Sequence, residues 1–246
     1  MTDRAMSLDE LNEALCKMAN AQLVSPEYER LYAVRLNREA GQIYILQRAH
    51  FVLNRRSCWG HVQGAAPFDI KGLIWEHEQD ELMGDASRNL ANHYQLGVQE
   101  GVAVGLTPRD FEDTPPLDGV LVATYAWLHI ARDKPWLEAL ASSCILEIAN
   151  SDAIVKAGGN ARRIGEKMRD EFGIPFSKQD SNAEHIVAEI EHANLLMKAA
   201  DKYGRTADAQ ADIMRGAAAG LAIDRVYKNA LAEAMEAVAS PMAQAS

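Results

Sequence analysis

Apolar residues recur every three or four positions along most of the chain, which is the period of an amphipathic α-helix. The first such segment begins after Ser7, which together with Glu10 has the spacing of a capping box at a helix N-terminus. Further segments are separated by breaks at residues 105–108 (Gly-Leu-Thr-Pro), 115–116 (Pro-Pro) and 158–159 (Gly-Gly). No convincing strand pattern appears. The sequence therefore predicts an all-α protein, a compact bundle of about seven to nine helices.

Short connections between these helices predict a single domain over residues 1–246. Residues 7–40 would form the N-terminal helices, residues 42–203 the core that holds the candidate site, and residues 206–238 a C-terminal helix. Residues 60–67, which contain two glycines and a proline, are predicted to form a loop within that core.

Composition narrows the classes of function. Apolar residues make up 48% of the chain and charged residues 24%, which is ordinary for a globular protein. The formal net charge of −10 disfavours binding to nucleic acid or to an anionic membrane surface. Because no apolar stretch approaches the ~18 residues of a membrane span, and the N-terminus lacks a signal-peptide pattern, we expect a cytoplasmic protein. The three cysteines are widely spaced and predict neither a disulfide framework nor a zinc–thiolate site.

The clearest candidate chemistry lies in one helical segment, where His185, Glu189 and His192 are spaced four and three residues apart. On a helix, this spacing places the three residues on one stripe. Imidazole and carboxylate groups are ligands of iron and manganese, and such residues facing inward across a bundle build dinuclear metal sites. An acidic helix that faces solvent would give a similar pattern, but apolar residues interrupt the acids here.

Two further carboxylates lie in or beside apolar patterns. Glu147 lies within a nearly apolar run, and a buried carboxylate must be paired, protonated or bound to metal. In the segment 70–85, the apolar stripe continues at the helical period to Glu81, whereas Glu78 lies at its edge and Glu76 well away from it. We therefore expect Glu81 to be the first carboxylate ligand, with Glu78 as the alternative. Glu76 competes for the same place if an insertion follows it.

The order of a carboxylate, a histidine, a second carboxylate and a His-x3-Glu-x2-His motif resembles the pattern of haem-oxygenase-like diiron oxidases and oxygenases. In this chain the pattern would be formed by Glu81, His93, Glu147, His185, Glu189 and His192. The turn at residues 105–108 and the Phe-Gly pair at residues 172–173 also resemble that family. The chain is similar in places to pyrroloquinoline-quinone synthase-like and para-aminobenzoate synthase-like proteins.

This resemblance implies a haem-oxygenase-like fold and two iron ions, or a mixed manganese–iron pair, as the catalytic cofactor. One iron would be bound by Glu81, His93 and His185, and the other by Glu189 and His192, with Glu147 bridging. Glu189 stands where the family usually has aspartate.

The implied activity is that of a non-haem oxidoreductase with O2 as co-substrate. The substrate would be a small amino-acid-derived or fatty-acid-like molecule, oxidised by C–H or C–C cleavage or by N-oxygenation. An external electron donor is a further implied partner. A homodimer is the expected assembly, because dimers are the commonest oligomers.

The substrate pocket is expected among the early helices, with candidate walls at Tyr44, Gln47, His50, Phe51, Trp59 and Tyr125. Residues of these types more often serve as core packing. Arg48, Arg55 and Arg56 could pair with a substrate carboxylate, although surface charges are the commoner role for arginines.

Three other classes of function stay open. A metal-free oxidase similar to pyrroloquinoline-quinone synthase would need basic and polar residues around an aromatic acid. A thiaminase-like hydrolase would use Cys144 as its nucleophile, but apolar neighbours raise the pKa of a thiol and make it unreactive. A binding or scaffold protein would need no metal.

Overall fold

The computed structural model describes residues 4–239, except for the side chains of Asp80 and of residues 187–192. Within these residues the chain forms twelve α-helices and no β-strand, which confirms the prediction of an all-α protein. The helices in order are α1 (Leu8–Gln22), α2 (Pro26–Ala33), α3 (Arg38–Ala65), α4 (Phe68–Met83), α5 (His93–Ala103), α6 (Pro108–Asp113), α7 (Asp118–Asp133), α8 (Trp136–Asn150), α9 (Asn160–Phe172), α10 (Asp180–His192), α11 (Leu195–Tyr203) and α12 (Ala207–Ala239). Two short 3-10 turns, Ala86–Arg88 and Phe176–Lys178, precede α5 and α10.

The number of described helices exceeds the predicted seven to nine, since short helices such as α6 and α11 form separate elements. The loop predicted at residues 60–67 is wrong, because α3 continues to Ala65. Trp59 and Val62 are fully buried on this last part of α3. Their burial outweighs the cost of a helical glycine, which is about 1 kcal/mol relative to alanine.

Side-chain caps fix where several helices begin. The hydroxyl of Ser7 accepts from the backbone N–H of Glu10 at 3.2 Å, and the Glu10 carboxylate accepts from the N–H of Ser7 at 2.7 Å. This reciprocal pair confirms the predicted capping box. At α5, the side chain of Asn92 accepts from the N–H of Gln95 at 2.9 Å, which makes His93 the first residue of that helix.

Helix α8 lies at the centre of the bundle and packs against α1, α3, α7, α10, α11 and α12. Its contact with α12 is the closest, because two glycines of α12 face the backbone of α8. A methyl group on Gly216 would lie 2.0 Å from the carbonyl oxygen of Glu138, and one on Gly220 would lie 2.4 Å from that of Ser142. The absence of side chains at these two positions therefore allows the two helix backbones to touch.

The hydrophobic core extends from Leu11 in α1 to Met235 in α12. On one side of this core, α3 packs against α4 and α5, and α10 packs against α5 and α8. The candidate site lies between these helices. None of the described helices is long and apolar enough to cross a membrane.

Candidate metal centre

Three helices bring together the ligand atoms of one carboxylate and two imidazoles. Glu81 lies in the last turn of α4, His93 begins α5, and His185 lies in α10. Each offers a ligand atom, and these atoms all lie within 4.8 Å of one another. Among the described residues, no second group of histidine, cysteine or acidic side chains converges in this way.

The connection between α4 and α5 reverses the chain and so returns His93 to Glu81. Gly84 begins the reversal with a positive φ of 68°, and a side chain there would lie 2.3 Å from the carbonyl oxygen of Leu90. The backbone N–H groups of Asp85 and Leu90 each donate to the other residue's carbonyl at 2.9 Å. The long sequence separation between the two candidate ligands is therefore taken up by a compact turn.

The imidazole of His185 is held in the state that a metal ligand requires. Its Nδ1 lies 2.7 Å from the carbonyl oxygen of Ser181, and a carbonyl can only accept, so Nδ1 carries the hydrogen. The lone pair is therefore on Nε2. Burial, together with the neighbouring imidazole of His93, lowers the pKa of His185 to about 4, so the ring is neutral at pH 7.

His93 lies beside Glu81 at a distance that suits an ion pair or two ligands of one ion. Nδ1 of His93 lies 2.9 Å from Oε1 of Glu81. This buried Nδ1 has no well-aligned hydrogen-bond partner among the described residues. Burial opposes protonation of His93, but the Glu81 carboxylate outweighs it and raises the pKa. An ion between the two atoms would satisfy both.

Arg56 holds the other oxygen of Glu81. Its Nη1 lies 2.9 Å from Oε2 of Glu81 and 2.7 Å from Oε1 of Glu78. Burial alone would raise the pKa of Glu81, but Arg56 and His93 outweigh it and keep that pKa well below its usual range. Glu81 is therefore ionised, with Oε1 turned toward His93. Glu78, the alternative first ligand, is engaged with Arg56 and with Nδ1 of His77 at 3.1 Å and is not part of the convergent group.

The donor set of this group fits iron. Two imidazoles and one carboxylate are the ligands of non-haem Fe(II) sites that keep coordination positions open. The neutral His185, the ionised Glu81 and the unsatisfied Nδ1 of His93 together match that requirement. The agreement between this group and an iron site thus rests on the donor atoms of its three residues.

The other three predicted ligands differ in what the structure describes. Glu147 in α8 is buried, as its apolar sequence context predicts. Its Oε1 lies 2.8 Å from Arg55 and 3.9 Å from Nε2 of His77, and it is not part of the convergent group. Helix α10 carries Glu189 and His192. Their side chains lie outside the described residues, so their roles stay predictions.

A cavity of about 90 Å³ adjoins this group, and Glu81, Glu147 and His185 line it. Of the predicted pocket walls, Tyr44 and Phe51 in α3 line the cavity. They are seven residues apart and so lie on one face of the helix.

The remaining predicted walls do not line this cavity. Gln47 instead bonds to the backbone of Pro115 and Leu117, at 3.1 and 2.8 Å. His50 bonds to the carbonyl of Thr114 at 2.9 Å, because this face of α3 is turned toward the segment before α7. Tyr125 is 65% exposed on the outer face of α7. Trp59 is a fully buried core residue whose ring packs at a tilt against that of His77.

Several cavity residues were not expected from the sequence. Helix α12 contributes Asp224, Tyr227 and Lys228. Polar residues at 224 and 228, four apart in an alanine-rich helix, were the available signal. The arginines at 48, 55 and 56, which the sequence offered as partners of a substrate carboxylate or as surface charges, also line the cavity. They form ion pairs with acidic side chains inside the protein, so the expectation that they are surface charges is wrong.

Cys144 does not have the properties of a nucleophile. It is fully buried in α8 and does not line the cavity. Burial and, to a lesser degree, Glu147 raise the pKa of its thiol far above the usual value. A thiol in this state forms almost no thiolate near neutral pH.

Comparison with known proteins agrees with an iron-dependent function. The model of a family described as iron-containing redox enzymes matches residues 42–225. A search of curated proteins finds no significant match. Similar solved structures include a domain with a heme oxygenase-like fold from Shewanella denitrificans OS217, with a TM-score of 0.72 and 13% identity over 92% of each chain.

Two further structures share the architecture. A CADD-like protein of unknown function from Nostoc punctiforme PCC 73102 has a TM-score of 0.70 and 16% identity, over 92% of this chain and 97% of that chain. A TenA homologue from P. horikoshii OT3 has a TM-score of 0.59 and 15% identity, over 90% and 98% of the two chains. At these identities the likeness concerns the fold alone. From the family match and this shared architecture, we conclude that the chain belongs to the family of iron-containing redox enzymes and has a haem-oxygenase-like fold.

Proposed function

We propose that this protein is a non-haem diiron oxidoreductase that activates O2 to oxidise a small molecule bound in the adjoining cavity. The observation that carries the proposal is the convergence of Glu81, His93 and His185. Two of these residues line the cavity, so a metal held by the group would be accessible to a bound substrate. The family of iron-containing redox enzymes supports the choice of metal.

The first iron would be held by Glu81, His93 and His185, and the second by Glu147, Glu189 and His192. Glu147 lines the same cavity as the first group. Glu189 and His192 follow His185 on α10 by four and seven residues, the spacing of one helical stripe. Arg55, which neutralises Glu147 at 2.8 Å, would share that carboxylate with the metal.

Bound iron would supply the electrons and the open coordination positions that O2 activation needs. The protein's own residues prepare the ligands. The Ser181 carbonyl fixes the tautomer of His185, and Arg56 keeps Glu81 ionised. Phe51, which stacks on Tyr227 and meets Trp127 edge to face, forms an apolar wall of the cavity that would exclude water from the reacting groups.

An anaerobic titration with Fe(II) tests this proposal. Metal-free protein should bind about two irons per chain and consume O2 when it is admitted. His185→Ala should lose at least one of these irons and the O2 consumption. His129→Ala is the matched control, because His129 is an exposed residue of α7 that pairs with Asp133 at 2.7 Å. Absence of iron binding above background, or unchanged binding in His185→Ala, would contradict the proposal.

A further inference from the structure

A buried lysine faces the cavity from α12. Lys228 is only 7% exposed and lines the same cavity as His185. Its ammonium nitrogen lies 5.5 Å from the ring centre of Tyr28 and 4.9 Å from that of Tyr227. Aromatic faces stabilise a cation without using its hydrogen-bond donors, so this setting holds the charge in place.

The three N–H donors of Lys228 are not used by the described residues. Its Nζ makes no hydrogen bond to them, and the carboxylate in ion-pair range, Asp224, lies 3.8 Å away. That carboxylate is already occupied on its other oxygen, which accepts from the Tyr28 hydroxyl at 2.6 Å and from Gln22 at 2.9 Å. Asp224 thus balances the charge of Lys228 without a hydrogen bond, and the three donors of the ammonium group remain available. A ligand in the cavity can accept from them.

The other cations of the lining already have partners. Each of them donates to a carboxylate within the protein: Arg48 to Glu100, Arg55 to Glu147, and Arg56 to Glu78 and Glu81. Of the described cationic residues around the cavity, Lys228 is therefore the one that does not donate to a carboxylate, although Nη1 of Arg55 and Nε of Arg56 also lack hydrogen-bond partners.

The size and walls of the cavity limit the ligand. At about 90 Å³ the cavity exceeds severalfold the ~10–15 Å³ that a single water needs, so it has room for a small molecule. Apolar side chains, among them Phe51, Val52 and Leu146, line it alongside Lys228 and His185. A fitting ligand is short, with one anionic group and an apolar body.

We propose that Lys228 anchors the carboxylate of the substrate, and that the substrate class is small monocarboxylates whose apolar body extends toward Glu81 and His185. The orientation of the substrate's apolar body toward Glu81 and His185 rests on the proposed function. The anchoring itself does not depend on iron, because no atom of Lys228 belongs to the convergent group.

Calorimetric titration of the metal-free full chain with three probes tests the anchor. Butanoate, butanamide and n-butylammonium share size and shape and differ in charge. Butanoate should bind at least about tenfold more tightly than butanamide, because a hydrogen bond to a charged group is stronger than a neutral one. The ammonium probe should not bind measurably. Equal affinities for butanoate and butanamide, or no binding of either, would overturn the proposal.

Three variants test whether Lys228 causes the preference for butanoate over butanamide. Lys228→Met should bring butanoate affinity down to that of butanamide, whereas Lys228→Arg should keep the preference. Lys198→Met, an exposed lysine of α11, is the matched control and should behave as the wild type. A preference that persists in Lys228→Met would overturn the proposal. If Lys228→Met does not fold, loss of the preference for butanoate in Lys228→Arg would overturn the proposal.

Iron binding separates this proposal from the proposed function. Lys228→Met should bind as much Fe(II) as the wild type. Normal iron binding without any carboxylate preference would overturn the anchor alone. A clear carboxylate preference in a wild-type chain that binds no iron would overturn the proposed function alone.

Discussion

Replacement of Gly216 by alanine probes the backbone contact between α8 and α12. The added methyl group would lie 2.0 Å from the carbonyl oxygen of Glu138, far inside van der Waals contact. Because this oxygen belongs to the backbone of α8, no side-chain rotation can relieve the overlap, and the two helices must separate. Glu147 of α8 and Lys228 of α12 line the same cavity, so the separation would also change the candidate site.

Two opposing effects set the change in the free energy of unfolding of Gly216→Ala. Alanine is favoured over glycine inside a helix by about 1 kcal/mol. Forcing an extra methyl group into a packed interface typically costs about 1–3 kcal/mol, and occasionally more. With a backbone atom at 2.0 Å, we expect the upper part of that range and a net loss of about 1–2 kcal/mol. For a chain of this length, each kcal/mol lowers Tm by about 2–4 °C.

Thermal and urea unfolding followed by circular dichroism measures the change. Gly60→Ala is the matched control, because Gly60 also lies inside a helix but nothing lies within 4 Å of its added methyl group. That variant should be stabilised by up to about 1 kcal/mol. If Gly216→Ala were as stable as Gly60→Ala, the close approach of the two helices would be refuted.

Two further predictions concern buried side chains, namely the Arg55–Glu147 ion pair and the cysteines. Arg55→Met removes the guanidinium that donates to Glu147 at 2.8 Å and to the Ser143 carbonyl at 3.1 Å, so urea unfolding should show a loss of about 1–3 kcal/mol for buried hydrogen bonds from a charged group. Fe(II) should restore part of this loss if Glu147 is a ligand, and no loss at all would contradict the burial. Iodoacetamide should modify half-buried Cys16 in the native protein and spare Cys58 and Cys144, since both protected thiols are buried out of reach of the reagent. Mass spectrometry that finds Cys144 modified as fast as Cys16 would contradict this.

Helical periodicity predicted much of the fold and part of the site. In α4 the stripe that contains Ile70 and Ile74 is buried and continues to Glu81, whereas Glu76 is exposed. One helical period thus separates the exposed Glu76 from the inward-facing carboxylates, but it does not separate Glu81 from Glu78, which is equally buried. The burial of Glu147 followed from its apolar neighbours in the same way.

The rest of the site depends on contacts between residues that are distant in sequence. Nothing near Arg56 indicates that it contacts Glu78 and Glu81, because the pairing arises from the packing of α3 on α4. Lys228 lies in a helix that the sequence placed outside the core. Only the packing of α12 on α3 and α8 brings it to the cavity.

The length of α3 shows a different limit of prediction from local sequence. Glycines at 60 and 64 predicted a loop, yet the helix continues because Trp59 and Val62 are buried by neighbouring elements. Local propensity differs by only about 1 kcal/mol per glycine, which is less than the burial of one large apolar side chain contributes.

The most direct test of the central claim is a crystal structure of the protein loaded anaerobically with Fe(II), with anomalous diffraction recorded at the iron absorption edge. The account predicts one anomalous peak between Glu81, His93 and His185, and a second beside Glu147, Glu189 and His192. A loaded crystal with no peak at the first position, or with iron bound only elsewhere, would contradict it.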